Sequence, residues 1–187
     1  MYSPSQIIVL YELINGNGKV KEYDEYNCTL IYEGEYLNGL RNGKGKEYHK
    51  DGKLKYEGEY LNGLRNGKGK EYLESTGKLI YEGEYLNGLR NGKGKEYFNY
   101  ITQNLIFEGE YLHGKKWEGK GYDIFNNNIY EIKKGRGWFK EYEYYNIVEG
   151  EYLNGLIKGN IKIYDLPTGK LIIEGEFKNG KINGKVK

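Results

Sequence analysis

A segment of seventeen residues, YEGEYLNGLRNGKGKEY, occurs three times without a change, and this identity constrains the fold of the 187-residue chain more than any other feature. The copies run from Tyr32 to Tyr48, from Tyr56 to Tyr72 and from Tyr81 to Tyr97. An active site needs one asymmetric arrangement of side chains, whereas copies at a near-constant spacing are typical of a stacked array. We therefore predict a repeat protein in which each unit packs on the next.

Weaker copies extend the array along most of the chain. The 41 residues between the unit openings at Phe107 and Val148 hide a shortened unit, Tyr130 to Tyr142, and a similar short unit spans Tyr11 to Tyr23, which gives eight units. Atypical end units are the expected caps of such an array. The predicted organisation has four sections, which are an N-terminal degenerate capping repeat at 1–31, regular repeats at 32–129, a shortened irregular repeat at 130–147, and C-terminal repeats with a cap at 148–187.

Each unit has the pattern of a β-hairpin. In YEGEYL the residues Tyr32, Gly34 and Tyr36 share one face with a period of two, which is the period of a strand. The dipeptides Asn38-Gly39 and Asn42-Gly43 tolerate positive φ and favour tight turns. The fold predicted is all-β, an elongated, twisted single sheet of about sixteen strands in stacked antiparallel hairpins. We also expect the ring of a neighbouring unit to fill the space above each in-strand glycine such as Gly34.

Composition excludes several classes of function. The chain has 29 basic and 27 acidic residues, and the net charge of +2 does not favour nucleic acid as a partner. A single cysteine, Cys28, favours a reducing compartment. The sequence has neither the pattern of a signal peptide nor an apolar stretch of membrane-spanning length. We expect a cytoplasmic location, and a peripheral position at a membrane is the alternative.

Motifs for catalysis are weak. The segment Gly39 to Gly45 has one residue too few between its glycines for a phosphate-binding loop, and glycine replaces the Ser or Thr that binds Mg²⁺. His49 and His113 fall in predicted turns, without metal-ligand spacing to Cys or to a second His. The pair Glu33 and Glu35 recurs in nearly every unit, as a solvated face paired with lysines would. We predict no catalytic residues, no metal and no cofactor.

The repeat resembles the MORN repeat, in the variant GKLxYEGEYxNGxRNGKGKEY. Gly52 to Tyr72 and Gly77 to Tyr97 follow this pattern closely, and Gly169 to Lys185 follows it in weaker form. The resemblance implies stacked β-hairpins that serve as a binding or scaffolding module. Proteins similar to it have been linked to acidic phospholipids, to dimerisation and to peptides or helices in the groove. The variant repeat is also seen in bacterial antitoxin or immunity proteins.

Two sets of residues are candidate binding sites. Aromatic anchors along one face form a predicted trough for a protein partner or a second copy of the chain, although the same rings also serve to hold the units together. This partner-binding set is Tyr36, Tyr60, Tyr85, Tyr111, Trp117, Trp138 and Tyr152. A predicted basic edge for acidic ligands consists of Arg41, Arg65, Arg90, Lys44, Lys68 and Lys93.

The function predicted is a non-enzymatic scaffold or protein-interaction module that binds along the aromatic trough. Binding to an acidic phospholipid surface through the basic edge is the first alternative. An antitoxin or immunity protein that occludes a toxin is the second. The irregular stretch from Trp117 to Phe139 is the expected source of specificity, because a uniform array offers little to distinguish one partner from another.

Overall fold

The computed structural model describes residues 7–98, 103–124, 127–143, 145–178 and 181–186. Within these ranges the chain forms sixteen strands, as the eight repeats predict. No helix in this part of the chain is long and apolar enough to cross a membrane. The strands are β1 Ile7–Ile14, β2 Asn17–Asp24, β3 Leu30–Leu37, β4 Leu40–Tyr48, β5 Leu54–Leu61, β6 Leu64–Tyr72, β7 Leu79–Leu86, β8 Leu89–Tyr97, β9 Leu105–Leu112, β10 Lys115–Tyr122, β11 Asn128–Ile132, β12 Gly137–Glu143, β13 Asn146–Leu153, β14 Leu156–Asp165, β15 Leu171–Lys178 and β16 Lys181–Val186.

The strands fall into two compact units. Unit 1 is Met1–Leu89 and unit 2 is Arg90–Lys187. In unit 1 the strands β1 to β7 pair in order, and each pair is antiparallel. In unit 2 the strands β8 to β11 pair in order, and so do β12 to β16. The predicted all-β fold of consecutive antiparallel hairpins is confirmed, while the division into four sections stays a prediction.

Two-residue turns close the hairpins. Asn38 and Gly39 both have positive φ, at 52° and 78°, which is the requirement of a type I′ turn whose twist suits the flanking strands. In unit 2, His113 occupies the asparagine position of such a turn with φ of 49°. Leu37 pairs directly with Leu40 at the end of the ladder. The asparagine-glycine pairs therefore fix the hairpin register as the sequence predicts.

The second asparagine-glycine pair has a different role from the predicted turn. Asn42 and Gly43 lie inside β4, where the register with β3 shifts between Gly34 and Tyr36. Gly43 has φ of 75°, so it supplies the left-handed residue of a β-bulge. The prediction of a turn at this pair was wrong, because β4 already begins at Leu40 and the pair forms a bulge within this strand.

The core of each regular repeat lies on one face of its hairpin, which we call the inner face. Tyr32, Tyr56 and Tyr81 open the three identical copies and are fully buried. A Cβ atom placed on Gly34 or Gly45 would collide with the Tyr32 ring, so this ring lies over a pair of glycines on adjacent strands. The predicted slot exists, but the ring that fills it belongs to the same hairpin and not to a neighbour. The opening tyrosine lies two residues before the glycine on the same face of the strand. Its ring therefore reaches the space above that glycine more easily than the ring of a neighbouring hairpin does.

Candidate functional site

The tyrosines of the inner face in unit 1 form a continuous edge-to-face arrangement. The Tyr56 ring meets the Tyr60 ring of its own hairpin at 5.5 Å and the Tyr85 ring of the next hairpin at 5.3 Å, each at 86°. The Tyr32 ring contacts the Tyr60 ring at 5.4 Å in the same way. Such T-shaped pairs are favourable beyond the area they bury. The second tyrosine of each repeat therefore joins two hairpins.

An arginine covers two of the opening tyrosines on the inner face of unit 1. The guanidinium carbon of Arg41 lies 4.1 Å from the centre of the Tyr32 ring, and that of Arg65 lies 4.1 Å from the Tyr56 ring. These are cation–π contacts at side chains that are largely withdrawn from water, with 25% and 18% of the arginine side chains exposed. The arginine places charge on the inner face, where the alternation of Tyr and Gly alone predicts an apolar surface.

Glutamates of the preceding hairpin neutralise these arginines. Arg41 donates from Nε and Nη2 to the two carboxylate oxygens of Glu22, at 2.9 and 2.7 Å. Arg65 makes the same two-pronged contact to Glu47, at 3.0 and 2.8 Å, and donates from Nη1 to Glu71 of its own hairpin at 2.9 Å. Two parallel charge-assisted hydrogen bonds fix both distance and orientation. Each arginine is thus an electrostatic link between consecutive hairpins.

The tyrosine hydroxyls complete the network. Tyr36 donates to Glu22, and Tyr60 donates to Glu47 at 2.7 Å. Burial, together with the hydrogen bond and charge of Glu22, raises the pKa of the Tyr36 hydroxyl to about 12. Burial alone would raise the pKa of Glu47, but the hydrogen bond and charge of Arg65 outweigh burial, and the pKa of Glu47 is lowered. At neutral pH Glu47 is therefore ionised, and the hydroxyls of Tyr36 and Tyr60 are protonated.

This packing decides how accessible the predicted anchors are. Tyr60, Tyr85 and Tyr111 are exposed by only 4%, 3% and 3%, so they are core residues of the array. Tyr36 and Tyr152 are half-buried. The partner-binding role of these tyrosines stays a prediction, and the packing role that was its alternative is visible in the ring contacts described above.

The predicted basic edge is divided between the two faces of the sheet. Arg65 pairs with Tyr60 across β5 and β6 and points to the inner face, whereas Lys68 pairs with Glu84 of β7. Lys68 directly precedes Gly69, which lies on the inner face under the Tyr56 ring, so the lysine side chain lies on the opposite face. The expectation of one continuous row was wrong for this reason. On the opposite, outer face the lysines are exposed, at Lys44, Lys68 and Lys93.

In unit 2 a lysine replaces the arginine of the repeat. Lys116 pairs with Tyr111 in the ladder, as Arg41 does with Tyr36, and its Nζ lies 4.9 Å from the centre of the Phe107 ring. The ammonium contacts Glu96 at 2.7 Å and Glu141 at 2.6 Å, with only 10% of the lysine side chain exposed. Glu96 also accepts a hydrogen bond from Arg90 at 2.7 Å. The cluster contains two cations and two carboxylates in contact.

Glycine at one position explains why the cluster has this asymmetric form. Gly121 pairs with Phe107 where a regular repeat pairs a glutamate with its opening tyrosine, so this hairpin has no carboxylate at that position. The Tyr130 ring of the next hairpin lies over Gly121 instead. Glu141, on β12, takes the place of the missing carboxylate and accepts a hydrogen bond from Tyr152 at 3.0 Å. At this position a ring of the neighbouring hairpin does fill the space above a glycine, as was predicted for every in-strand glycine.

The charges of this cluster stabilise one another. Burial would lower the pKa of Lys116, but the charges of Glu141 and Glu96 raise it well above its ordinary value. Burial would raise the pKa of Glu96, but the charges of Lys116 and Arg90 lower it. Lys116 and Glu96 are therefore both ionised at neutral pH.

A cleft of about 360 Å³ opens beside this cluster in unit 2. Its walls carry three kinds of group: carboxylates, amines and phenol rings. The lining includes Glu96, Glu141, Lys115, Lys116, Tyr142 and Tyr152. Lys115 is exposed at the turn, in the position that Leu40 has in the regular repeat. A cleft with charged walls and half-buried rings suits a polar segment of a partner better than an apolar ligand.

Trp138 lies apart from this inner surface. Trp138 is 44% exposed and pairs with Glu151, while its neighbour Phe139 is fully buried on the inner face opposite Gly150. Trp138 therefore points to the outer face. Trp117 is half-buried and its carbonyl accepts a hydrogen bond from the amide of Gly135 at 2.6 Å. The predicted trough thus does not include Trp138 on the same face as the tyrosines.

Groups for catalysis or metal binding are few in the described ranges. His49 lies in the turn that follows β4, and its Nδ1 is 3.8 Å from Glu74. His113 lies in the turn between β9 and β10. Within residues 7–98, 103–124, 127–143, 145–178 and 181–186, no group of three or more His, Cys, Asp or Glu side chains is arranged to hold a metal ion.

Comparison with known families identifies the repeat. The sequence model of the MORN repeat matches residues 32–53, 56–76, 81–99 and 174–185. Three of these stretches begin at the buried tyrosines that open the identical copies. The comparison with curated proteins gives no match. The four family matches, together with the order of antiparallel hairpins, show that the chain belongs to the MORN-repeat proteins.

Proposed function

We propose that the protein is a non-enzymatic scaffold that binds a protein partner through the cleft of unit 2. The observation that carries this proposal is the contrast between regular and irregular repeats. In unit 1 the inner-face rings are packed and the arginines are paired, whereas in unit 2 a cleft opens beside Lys116. The family supports a repeat module of this general kind.

The regular repeats act as rigid support in this proposal. Their interhairpin contacts use the aromatic and charged groups that a partner would otherwise engage. The cleft supplies a single asymmetric arrangement of side chains, which the uniform array lacks. Lys115, Tyr142 and the Glu141 carboxylate offer donors and acceptors to an extended polar segment of the partner.

A photo-crosslinking amino acid at Lys115 tests this site, and the same group at Lys120 is the matched control. Both lysines are exposed and lie on β10, but only Lys115 lines the cleft. In a lysate of the source cells we expect one protein to be crosslinked from position 115 and not from position 120. Equal capture at both positions, or no capture at position 115, contradicts the proposal.

Affinity measurements with the captured protein provide the second part of the test. Lys115→Glu reverses a charge at the rim without touching the contacts of Lys116, and we expect at least a tenfold rise in Kd. Lys120→Glu is expected to leave Kd unchanged. Isothermal titration calorimetry measures both, and equal values for the two variants contradict the assignment of the cleft.

Binding to acidic phospholipid has less support. The guanidinium groups of Arg41 and Arg65 are already engaged by carboxylates, and the exposed Lys44 and Lys68 lie opposite Glu59 and Glu84 in the ladder. Flotation with phosphatidylinositol-phosphate vesicles at low and high salt tests this alternative, for which salt-sensitive binding is the expected result. The immunity alternative stays a prediction from the resemblance alone.

A further inference from the structure

Five hairpin turns in the described part of the chain share one dipeptide, an asparagine followed by a glycine. In all five the asparagine is exposed, its φ lies between 50° and 55°, and the φ of the glycine lies between 68° and 85°. The turns therefore match in dipeptide, in backbone conformation and in exposure. They are Asn15-Gly16, Asn38-Gly39, Asn62-Gly63, Asn87-Gly88 and Asn154-Gly155.

An asparagine before a glycine is a site of spontaneous deamidation. The glycine amide nitrogen gives its proton to water and attacks the side-chain carbon Cγ of the asparagine with its electron pair. The bond from Cγ to the side-chain nitrogen breaks, this nitrogen takes up a proton and leaves as ammonia, and a cyclic imide remains. Water then adds to one of the two imide carbonyls and opens the ring, which gives aspartate or isoaspartate. Glycine favours the attack because it has no side chain to obstruct it.

The conformation of the turn controls this reaction. An asparagine in the left-handed region has ψ near about +47°, which directs the following amide nitrogen away from its Cβ and Cγ. The peptide plane between asparagine and glycine must therefore rotate before the ring can close. The glycine N–H rotates with that plane, so a hydrogen bond from this N–H holds the plane in its unreactive orientation and keeps water from the proton.

Four of the five turns have such a hydrogen bond. In each of them the glycine amide donates to a backbone carbonyl of the preceding hairpin, at 2.8 to 2.9 Å. The contact between consecutive hairpins thus protects the dipeptide that a type I′ turn favours. The donor and acceptor pairs are Gly39 to Gly16, Gly63 to Arg41, Gly88 to Arg65 and Gly155 to Gly135.

The turn between β1 and β2 is the exception. Among residues 7–98 the amide of Gly16 has no hydrogen-bond acceptor. The carbonyl of Gly16 accepts from Gly39, but this carbonyl belongs to the peptide plane that follows Gly16. The plane between Asn15 and Gly16 is therefore not held, although Asn15 is exposed like the other four asparagines.

We infer that Asn15 is a site of spontaneous deamidation, whereas the asparagines of the other four turns are protected by the hydrogen bond to the preceding hairpin. Isoaspartate at position 15 inserts a methylene group into the backbone of the turn and adds one negative charge. A two-residue turn of fixed geometry does not accommodate the longer backbone, so the modification alters the β1–β2 hairpin. The inference does not depend on the function proposed for the cleft of unit 2.

Peptide mapping by mass spectrometry tests the site in the full chain, incubated folded at neutral pH. The four protected asparagines of the same molecule are the matched controls, and electron-transfer fragmentation separates Asn15 from the nearby Asn17. We expect Asn15 to lose ammonia at least about fivefold faster than each control, since fivefold corresponds to about 1 kcal/mol, the net value of one hydrogen bond. Equal rates at the five sites of the folded protein would overturn the inference.

The same mapping in urea separates the fold from the local sequence. The unfolded chain holds none of the glycine amides, so the five asparagines should react at similar rates. A preference for Asn15 that persists in urea would assign it to the neighbouring residues and overturn the role of the hydrogen bond. Hydrogen exchange tests the cause: the Gly16 amide should exchange faster than those of Gly39 and Gly63, and exchange at the same rate or slower would contradict the inference.

Discussion

Gly69→Ala tests the packing of a tyrosine ring over the glycine pair of its hairpin. Gly69 lies in β6, and its φ is outside the left-handed region, so alanine is compatible with the backbone. In a strand with free space this change stabilises by about 0.5–1 kcal/mol, because the unfolded chain loses conformational freedom. The sign of the measured effect therefore separates a filled slot from an empty one.

The structure predicts the opposite sign. A Cβ atom on Gly69 would lie 2.6 Å from both Cε2 and Cζ of Tyr56, and the ring is fully buried with no room to retreat. Overpacking of this kind costs typically 1–3 kcal/mol. Subtracting the middle of the backbone gain from the middle of the overpacking cost leaves a net loss of about 1 kcal/mol in the free energy of unfolding.

A double-mutant cycle with Tyr56→Leu gives the control. The three atoms nearest to the added Cβ all belong to the Tyr56 side chain, so removing the ring should make Gly69→Ala neutral or stabilising. Urea unfolding followed by circular dichroism measures the four proteins. A neutral or stabilising effect in the wild-type background, or an equal loss in both backgrounds, would refute the reasoning.

Three further predictions concern the charged and aromatic network. Tyr60→Phe removes a buried hydroxyl that donates to Glu47, and urea titration should show a loss of about 1 kcal/mol. Acid should destabilise the fold: Glu47 and Glu96 have a lower pKa in the folded than in the unfolded chain, so their contribution is complete above the unfolded value of about 4.3 and is lost as the pH falls toward the folded value. Melting curves between pH 7 and pH 2.5 measure this loss, and a melting temperature that stays constant over that range contradicts it. Trp138→Ala should leave the Kd for the partner unchanged, because Trp138 points to the outer face and does not line the cleft; a clear rise in Kd contradicts the assignment of the cleft.

The repeat period predicted the hairpins well, because period-two alternation and asparagine-glycine turns are local signals. Tyr32 and Gly34 were correctly placed on one face, and Asn38-Gly39 forms the predicted turn. The prediction that a neighbouring ring fills the glycine slot was wrong for the regular repeats. The alternation pattern identifies the face on which a ring lies, but it does not identify which ring covers the glycine. The bulge at Gly43 was also missed, because asparagine-glycine pairs suit turns and bulges equally.

The candidate site was harder to predict. Lys68 directly precedes Gly69 on the strand and therefore lies on the face opposite this glycine, and this signal was available in the sequence. The alignment of Lys116 with the repeat arginines was available as well, through its distance from Tyr111. The contribution of Glu141 was not, because it depends on the path of a hairpin twenty-five residues away.

The central claim is that arginine and glutamate link consecutive hairpins across the inner face. A double-mutant cycle of Glu47→Gln and Arg65→Met measures this link directly, and glutamine retains an acceptor for the Tyr60 hydroxyl. Because both side chains are more than four-fifths withdrawn from water, we expect a coupling free energy of about 1.5–3 kcal/mol. A coupling within about 0.3 kcal/mol of zero, as for an exposed ion pair, would contradict the account.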